Sequence, residues 1–244
     1  DFESDGRNFP QRVLQRGLVT LGHMKVLGAL AIALQLGVSL WLDCRGGACL
    51  GAITRAWLLV FGWSCLMAKE FFIGEWLGRR LVLYALSHMV VLPMALLWMA
   101  QMGAGQRPLG AGVWLLAALS FLSGSAMEIG RKTRAPEQER AEVDSYSKAL
   151  GLRGAVVALV TISTLTGGLL LVALSGQGGA PSALSPLTGA LALGTVILPV
   201  AVLLRFLRAP SPKGAKMNEA ALGLQAVISY LTLSGAWLAQ RGLS

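Results

Sequence analysis

Two carboxylates one helical turn apart open the chain, Asp1 and Asp5 in DFESDGRNFPQRVLQRGLVT at 1–20. Residues four apart project from one face of a helix. Such a pair suits a hard divalent cation, because Mg²⁺ takes oxygen ligands, keeps several waters and is commonly shared between carboxylates and a substrate phosphate. Arg12 and Arg16 follow, placed to contact the same anion. A second cluster, EIGRKTRAPEQERAEVDSYSKALG at 128–151, interleaves acids with bases, and Pro136 interrupts any helix there. A third element, MAKEFF at 67–72, sets Lys69 and Glu70 at the border of an apolar run. The plainer reading of all three is a set of mixed-charge surface loops.

The elements that would position these residues are membrane-spanning helices. A soluble domain is about a quarter charged, whereas here 14% of residues are charged, 55% are hydrophobic and the mean hydropathy is +0.63. Long stretches such as Arg80 to Arg107, Arg153 to Arg205 and Glu219 to Arg241 carry no charge between their ends. About 20 apolar residues in a helix cross a bilayer core. The 153–205 stretch is long enough for two crossings, and Gly176, Gly178, Gly179, Pro181 and Ser182 punctuate it where a hairpin must turn. The sequence therefore predicts an all-α, polytopic transmembrane bundle with seven spans, at 19–42, 52–72, 81–101, 111–130, 154–175, 184–206 and 220–239. Barrel strands are excluded by the length and continuity of the runs, and the loops leave no room for a soluble domain. Small residues such as Gly28, Ala29, Ala31, Ala33 and Gly37 read as helix-packing positions.

Assigning loops alternately to two sides puts all of the 21 basic residues except Arg45, Arg55, Arg107 and Arg241 on one side. By the positive-inside rule that side is cytoplasmic, which in a bacterium makes this an inner-membrane protein. The net charge of +9 follows from topology and anionic lipid, with no need of a nucleic-acid partner. The rule says little about acids, yet every acid except Asp43 falls on the same side. The asymmetry alone is equally compatible with mixed-charge loops, and it is the spacing of the acids that favours a carboxylate site.

These residues carry a family resemblance. Asp-x-x-x-Asp followed by a basic, Pro-containing segment and RGLVT entering a span resembles the first aspartate-rich motif of the UbiA superfamily of intramembrane prenyltransferases, the 4-hydroxybenzoate polyprenyltransferase family. The loop at 128–151 sits where that family has its second motif. Its members have nine helices with both motifs on cytoplasmic loops, so the seven spans correspond to helices three to nine and the chain is expected to lack the first two. The resemblance implies Mg²⁺ bridging Asp1 and Asp5 to the diphosphate of an isoprenyl donor, ionisation to an allylic cation, and attack by a lipophilic, aromatic acceptor. Metal and basic groups would stabilise the departing diphosphate, and the apolar interior would keep water from the cation. By position, Lys69 resembles the lysine ending helix four, and Arg12 the arginine after the first motif.

The second motif departs from the family pattern. Where Asp-x-x-x-Asp is expected, the chain has Glu128 and then Lys132, with Arg131 beside it. Glu128 stays as a metal ligand in this reading, with Asp144, or alternatively Glu137 or Glu139, supplying a replacement. Arg131 and Lys132 then become diphosphate contacts, and Tyr146 faces the substrate. A terpene cyclase on the same scaffold, and a transporter or binding protein for an anionic ligand, are the alternatives.

Other residues read as structural. His88, inside a span near Pro93, is expected to be satisfied by a neighbouring helix, and the tryptophans near span ends to be interfacial anchors. No Gly-rich phosphate loop and no zinc-like Cys/His spacing occur. Cys44 and Cys49 in DCRGGACL flank a tight reversal on the non-cytoplasmic side, where a disulfide and a pair of free thiols are equally compatible with the spacing.

Overall fold

A computed structural model describes residues 6, 10–140, 143–176 and 183–242, the last three of these by backbone alone. Among the described residues the chain is helical throughout, with no strands. Its helices are α1 (Leu21–Arg45), α2 (Ala52–Ala68), α3 (Gly74–Gly78), α4 (Leu81–Met89), α5 (Val91–Ala104), α6 (Ala111–Arg131), α7 (Tyr146–Ala149), α8 (Gly151–Leu174), α9 (Pro186–Arg208) and α10 (Pro212–Gly242). Six helical stretches are long and apolar enough to cross a membrane, with α4 and α5 counted together as Leu81–Ala104. The seventh expected span, α2, is apolar but only 17 residues long. The chain is a polytopic helical membrane protein.

Three of the expected spans depart from the hydropathy pattern. The second, expected to reach 72, stops at Ala68, because Glu70, Phe71 and Phe72 turn left-handed with φ of 47°, 55° and 59°. The third divides into α4 and α5 around Val90. Pro93 has no N–H to give the Met89 carbonyl, so the hydrogen-bond ladder is interrupted there. The last helix starts at Pro212, well before the expected 220.

Packing divides the bundle in two. Helices α6, α8, α9 and α10 pack on one another and hold both apolar cores. One core surrounds Ile129, Tyr146, Leu159, Leu203, Phe206 and Leu222; the other surrounds Leu119, Leu170, Leu174 and Leu233. From α6 the remaining helices extend as a layer, α5 against α6, α2 against α5 and α1 against α2. Outward residues such as Leu34, Leu59, Ile197 and Leu231 are largely exposed, as side chains bathed in lipid tails should be.

Without water to drive them together, membrane helices associate through close packing. At Gly167 of α8 an added Cβ would come within 2.0 Å of Val196 Cγ2 on α9. Valine is stiff at χ1 in a helix, so it cannot swing clear. Gly167→Leu is expected to weaken the α8–α9 contact by about 2 kcal/mol. Gly168 has nothing within 4 Å, so Gly168→Leu should stay within about 0.5 kcal/mol of the parent. Unfolding both variants in mixed micelles checks the contrast, and equal effects would refute the packing account.

Candidate functional site

The end of the bundle where α2 and α6 finish collects the charged loops. There the helix dipole of α6 leaves unpaired carbonyls, which favour cations in the last turn. Arg131 and Lys132 occupy that turn and both clasp Glu128: Arg131 Nη2 lies 2.6 Å from Oε2 and Lys132 Nζ 2.7 Å from Oε1. The spacings are i,i+3 and i,i+4, so one helix face carries the whole cluster. Glu128 is shielded while Arg131 stands largely in the open, its side chain 60% exposed.

Beside this cluster a groove of about 480 Å³ runs along α6 between α10 and the α4–α5 junction. Glu128 and Arg131 mark its charged mouth, and Met89, Leu92 and Met127 give it an apolar wall. Ser120, Ser123 and Tyr230 place hydroxyls farther along it, with the Tyr230 hydroxyl in reach of both serines. An added Cβ on Gly124 would come within 2.2 Å of Leu92 Cδ1, so Leu92 packs directly on the α6 backbone beside the groove. The shape suits an elongated, mostly apolar molecule with a polar head.

The residues expected to form the site are partly brought together here. Glu128, Arg131 and Lys132 form one cluster, and Arg131 lines the groove. Lys69 caps the C-terminus of α2 at the same end of the bundle but is exposed and does not line the groove. Neighbouring Glu70 is close enough for its charge to reach Tyr84 together with that of Glu128, which fixes the two loops at one end. Arg12 is exposed in the turns ahead of α1. Asp1 and Asp5 lie outside the described residues.

The loop after α6 is stitched to itself. Tyr146 N donates to Lys132 O at 3.0 Å, Arg134 N to Ser147 Oγ at 2.7 Å, and Ser145 Oγ to both carboxylate oxygens of Glu139 at 2.8 Å. Lys148 adds contacts to the carbonyls of Arg140 and Val143. Glu139 is thereby a loop fastener, while Glu137 and Asp144 are exposed. Tyr146 corrects the expectation that it faces substrate: it is fully buried in the core, its hydroxyl donating to Leu81 O at 3.3 Å. Burial first, and then the nearby Glu128 charge, push this hydroxyl's pKa upward. Among the described residues no three His, Cys, Asp or Glu side chains converge as a metal site would require.

Three further sites show what spacing alone did not reveal. His88 Nδ1 pairs at 2.8 Å with Tyr84 O of its own helix, where a neighbouring helix had been expected, and its ring stacks on Tyr84. Tryptophans expected as anchors instead join helices: Trp57 Nε1 donates to Gln35 Oε1, Trp98 Nε1 to Ser39 Oγ and Trp63 Nε1 to Ser87 O, at 3.2, 3.1 and 3.1 Å. Cys44 and Cys49 are free thiols, with Cys44 in hydrogen-bonding reach of Cys49. The chain matches no protein-family model, no curated protein and no solved structure.

Proposed function

We propose that this chain is an intramembrane prenyltransferase of the UbiA type, transferring an isoprenyl group from a prenyl diphosphate to a lipophilic, aromatic acceptor with the help of Mg²⁺. The observation that carries this reading is the groove along α6, charged at its mouth by Glu128 and Arg131 and apolar along Met89, Leu92 and Met127. A prenyl diphosphate has that same division, a polyanionic head on a hydrocarbon tail. Arg131 holds Glu128 through one nitrogen and, with its side chain 60% exposed, has further donors to offer a diphosphate, since a guanidinium presents several in a fixed fork. Ser120, Ser123 and Tyr230 offer partners to a polar group on the acceptor. Asp1 and Asp5 supply metal ligands in this reading, with Glu128 and Asp144 as further carboxylates, while Arg12, Lys69 and Lys132 add positive charge around the diphosphate. The site faces the cytoplasm, following the distribution of basic residues.

A second reading draws on the Glu128 cluster itself. With both oxygens engaged by cations, Glu128 is neutralised without a metal, as in a protein that binds or carries an anionic amphiphile and performs no transfer. Incubation of the detergent-solubilised protein with a labelled prenyl diphosphate and Mg²⁺ separates the two. The transferase reading expects Mg²⁺-dependent binding, diphosphate release on addition of an aromatic acceptor, and binding about tenfold weaker in Arg131→Gln, as a loss near 1.4 kcal/mol implies. Binding indifferent to Mg²⁺ with no diphosphate released favours the carrier. Absence of binding altogether removes both.

A further inference from the structure

Where α9 turns into α10, at the same end of the bundle as α6 finishes by the alternation of spans, a hollow of about 400 Å³ opens. Its lip is polar, with Arg205 at the end of α9, Lys213 at the start of α10, and Ser211 between them. Its inner wall is apolar, formed by Val202, Phe206 and Met217, and Phe206 reaches down into the main core. The 31-residue helix α10 begins at this lip, with Ser211 Oγ accepting from Gly214 N at 3.1 Å, so the positive end of its dipole adds to the two cations. Among the described residues neither Arg205 nor Lys213 makes an ion pair.

Cations at the end of a membrane helix are ordinary, and by themselves they would only report which side they face. What distinguishes this place is the half-open hollow under them. It is walled by hydrocarbon on the side of the bilayer and by positive charge on the side of water. We propose that the hollow binds the phosphate of an anionic phospholipid, the headgroup held between Arg205 and Lys213 and the first acyl carbons laid against Val202, Phe206 and Met217. A phosphate group with net negative charge is the chemistry the lip recognises, and the apolar wall selects the lipid over free phosphate. The site is separate from the α6 groove and stands whether or not the chain transfers a prenyl group.

Native mass spectrometry of the full chain in mild detergent, mixed with phosphatidylglycerol, phosphatidylcholine or inorganic phosphate, tests this. The parent protein should retain phosphatidylglycerol over phosphatidylcholine by about tenfold, since each interfacial cation contributes severalfold. Arg205→Gln combined with Lys213→Gln should reduce retention to the phosphatidylcholine level. Lys25→Gln, an exposed charge in α1, should leave it unchanged. Circular dichroism verifies that the exposed substitutions keep the helices. Equal retention by the double variant, or an equal loss from Lys25→Gln, overturns the site. Displacement of the lipid by millimolar inorganic phosphate assigns the lip to free phosphate and overturns the lipid.

Discussion

Replacing Asp43 with alanine is expected to lower the stability of the bundle by about 3 kcal/mol, from the charge-assisted hydrogen bonds it removes and the buried donors it leaves unpaired. A helix begins with backbone N–H groups that have no partner within the helix, and a Ser, Thr, Asp or Asn at the cap normally accepts from them. Helix α2 begins after Gly51, which has no side chain to do so. The missing acceptors come from elsewhere. Asp43, at the end of α1, takes Ile53 N at 3.3 Å and Thr54 N at 2.8 Å, while Gln106 from the α5–α6 loop takes Ala52 N at 2.9 Å and donates to Asp43 Oδ1 at 2.7 Å. One buried carboxylate thus ties the end of α1, the start of α2 and the α5–α6 loop together, with its negative charge at the positive end of α2. Gly51 is glycine because an added Cβ would sit 2.3 Å from Gln106 Nε2 and 2.5 Å from Asp43 Oδ1. Thermal unfolding in detergent should therefore show Asp43→Ala strongly destabilised and Asp43→Asn only mildly so, since asparagine still accepts at one position. An alanine variant as stable as the parent would remove the staple from the account.

This staple shows where sequence reading reached its end. Asp43 stands out as the one acid away from the basic end, but what it binds depends on Gln106, 63 residues later. It completes a face of α1 with Gln35 and Ser39 at one-turn intervals. The partners of that face, Trp57 and Trp98, are not legible, because a tryptophan near a span end looks the same whether its indole meets headgroups or a neighbouring helix. The order of the apolar helices is legible because lipid enforces long apolar runs, although six of the seven expected spans have the length to cross and Ala52–Ala68 falls short. The early end of α2 is not legible, since nothing in Glu-Phe-Phe marks three successive left-handed residues. At the candidate site, the nearness of Glu128, Arg131 and Lys132 follows from i,i+3 and i,i+4 spacing alone, but the spacing does not say that both cations close on Glu128. Tyr146, expected to face substrate from its place in a charged loop, is buried instead, because that loop folds back onto the end of α6.

Tyr146 supplies the other large effect. It is among the largest fully buried side chains and belongs to the core shared with Ile129, Leu159 and Phe206. Removing an aromatic ring from such a place costs the transferred surface and leaves a cavity, so Tyr146→Ala is expected to destabilise by about 3–5 kcal/mol. The hydroxyl contributes separately through its bond to Leu81 O, and Tyr146→Phe should lose only about 1 kcal/mol. The two variants separate a structural tyrosine from one that touches substrate, because a substrate contact would make Tyr146→Phe lose prenyl diphosphate binding while keeping its stability. The pH dependence follows from the same burial. A pKa raised above the unfolded value near 10 means the neutral hydroxyl's stability is complete below about pH 10 and is lost as pH climbs past it. Tyr146→Phe, which cannot ionise, should therefore lose less stability than the parent between neutral and strongly alkaline pH. Parallel losses in the two proteins would show that Tyr146 titrates freely and is not the packed residue described.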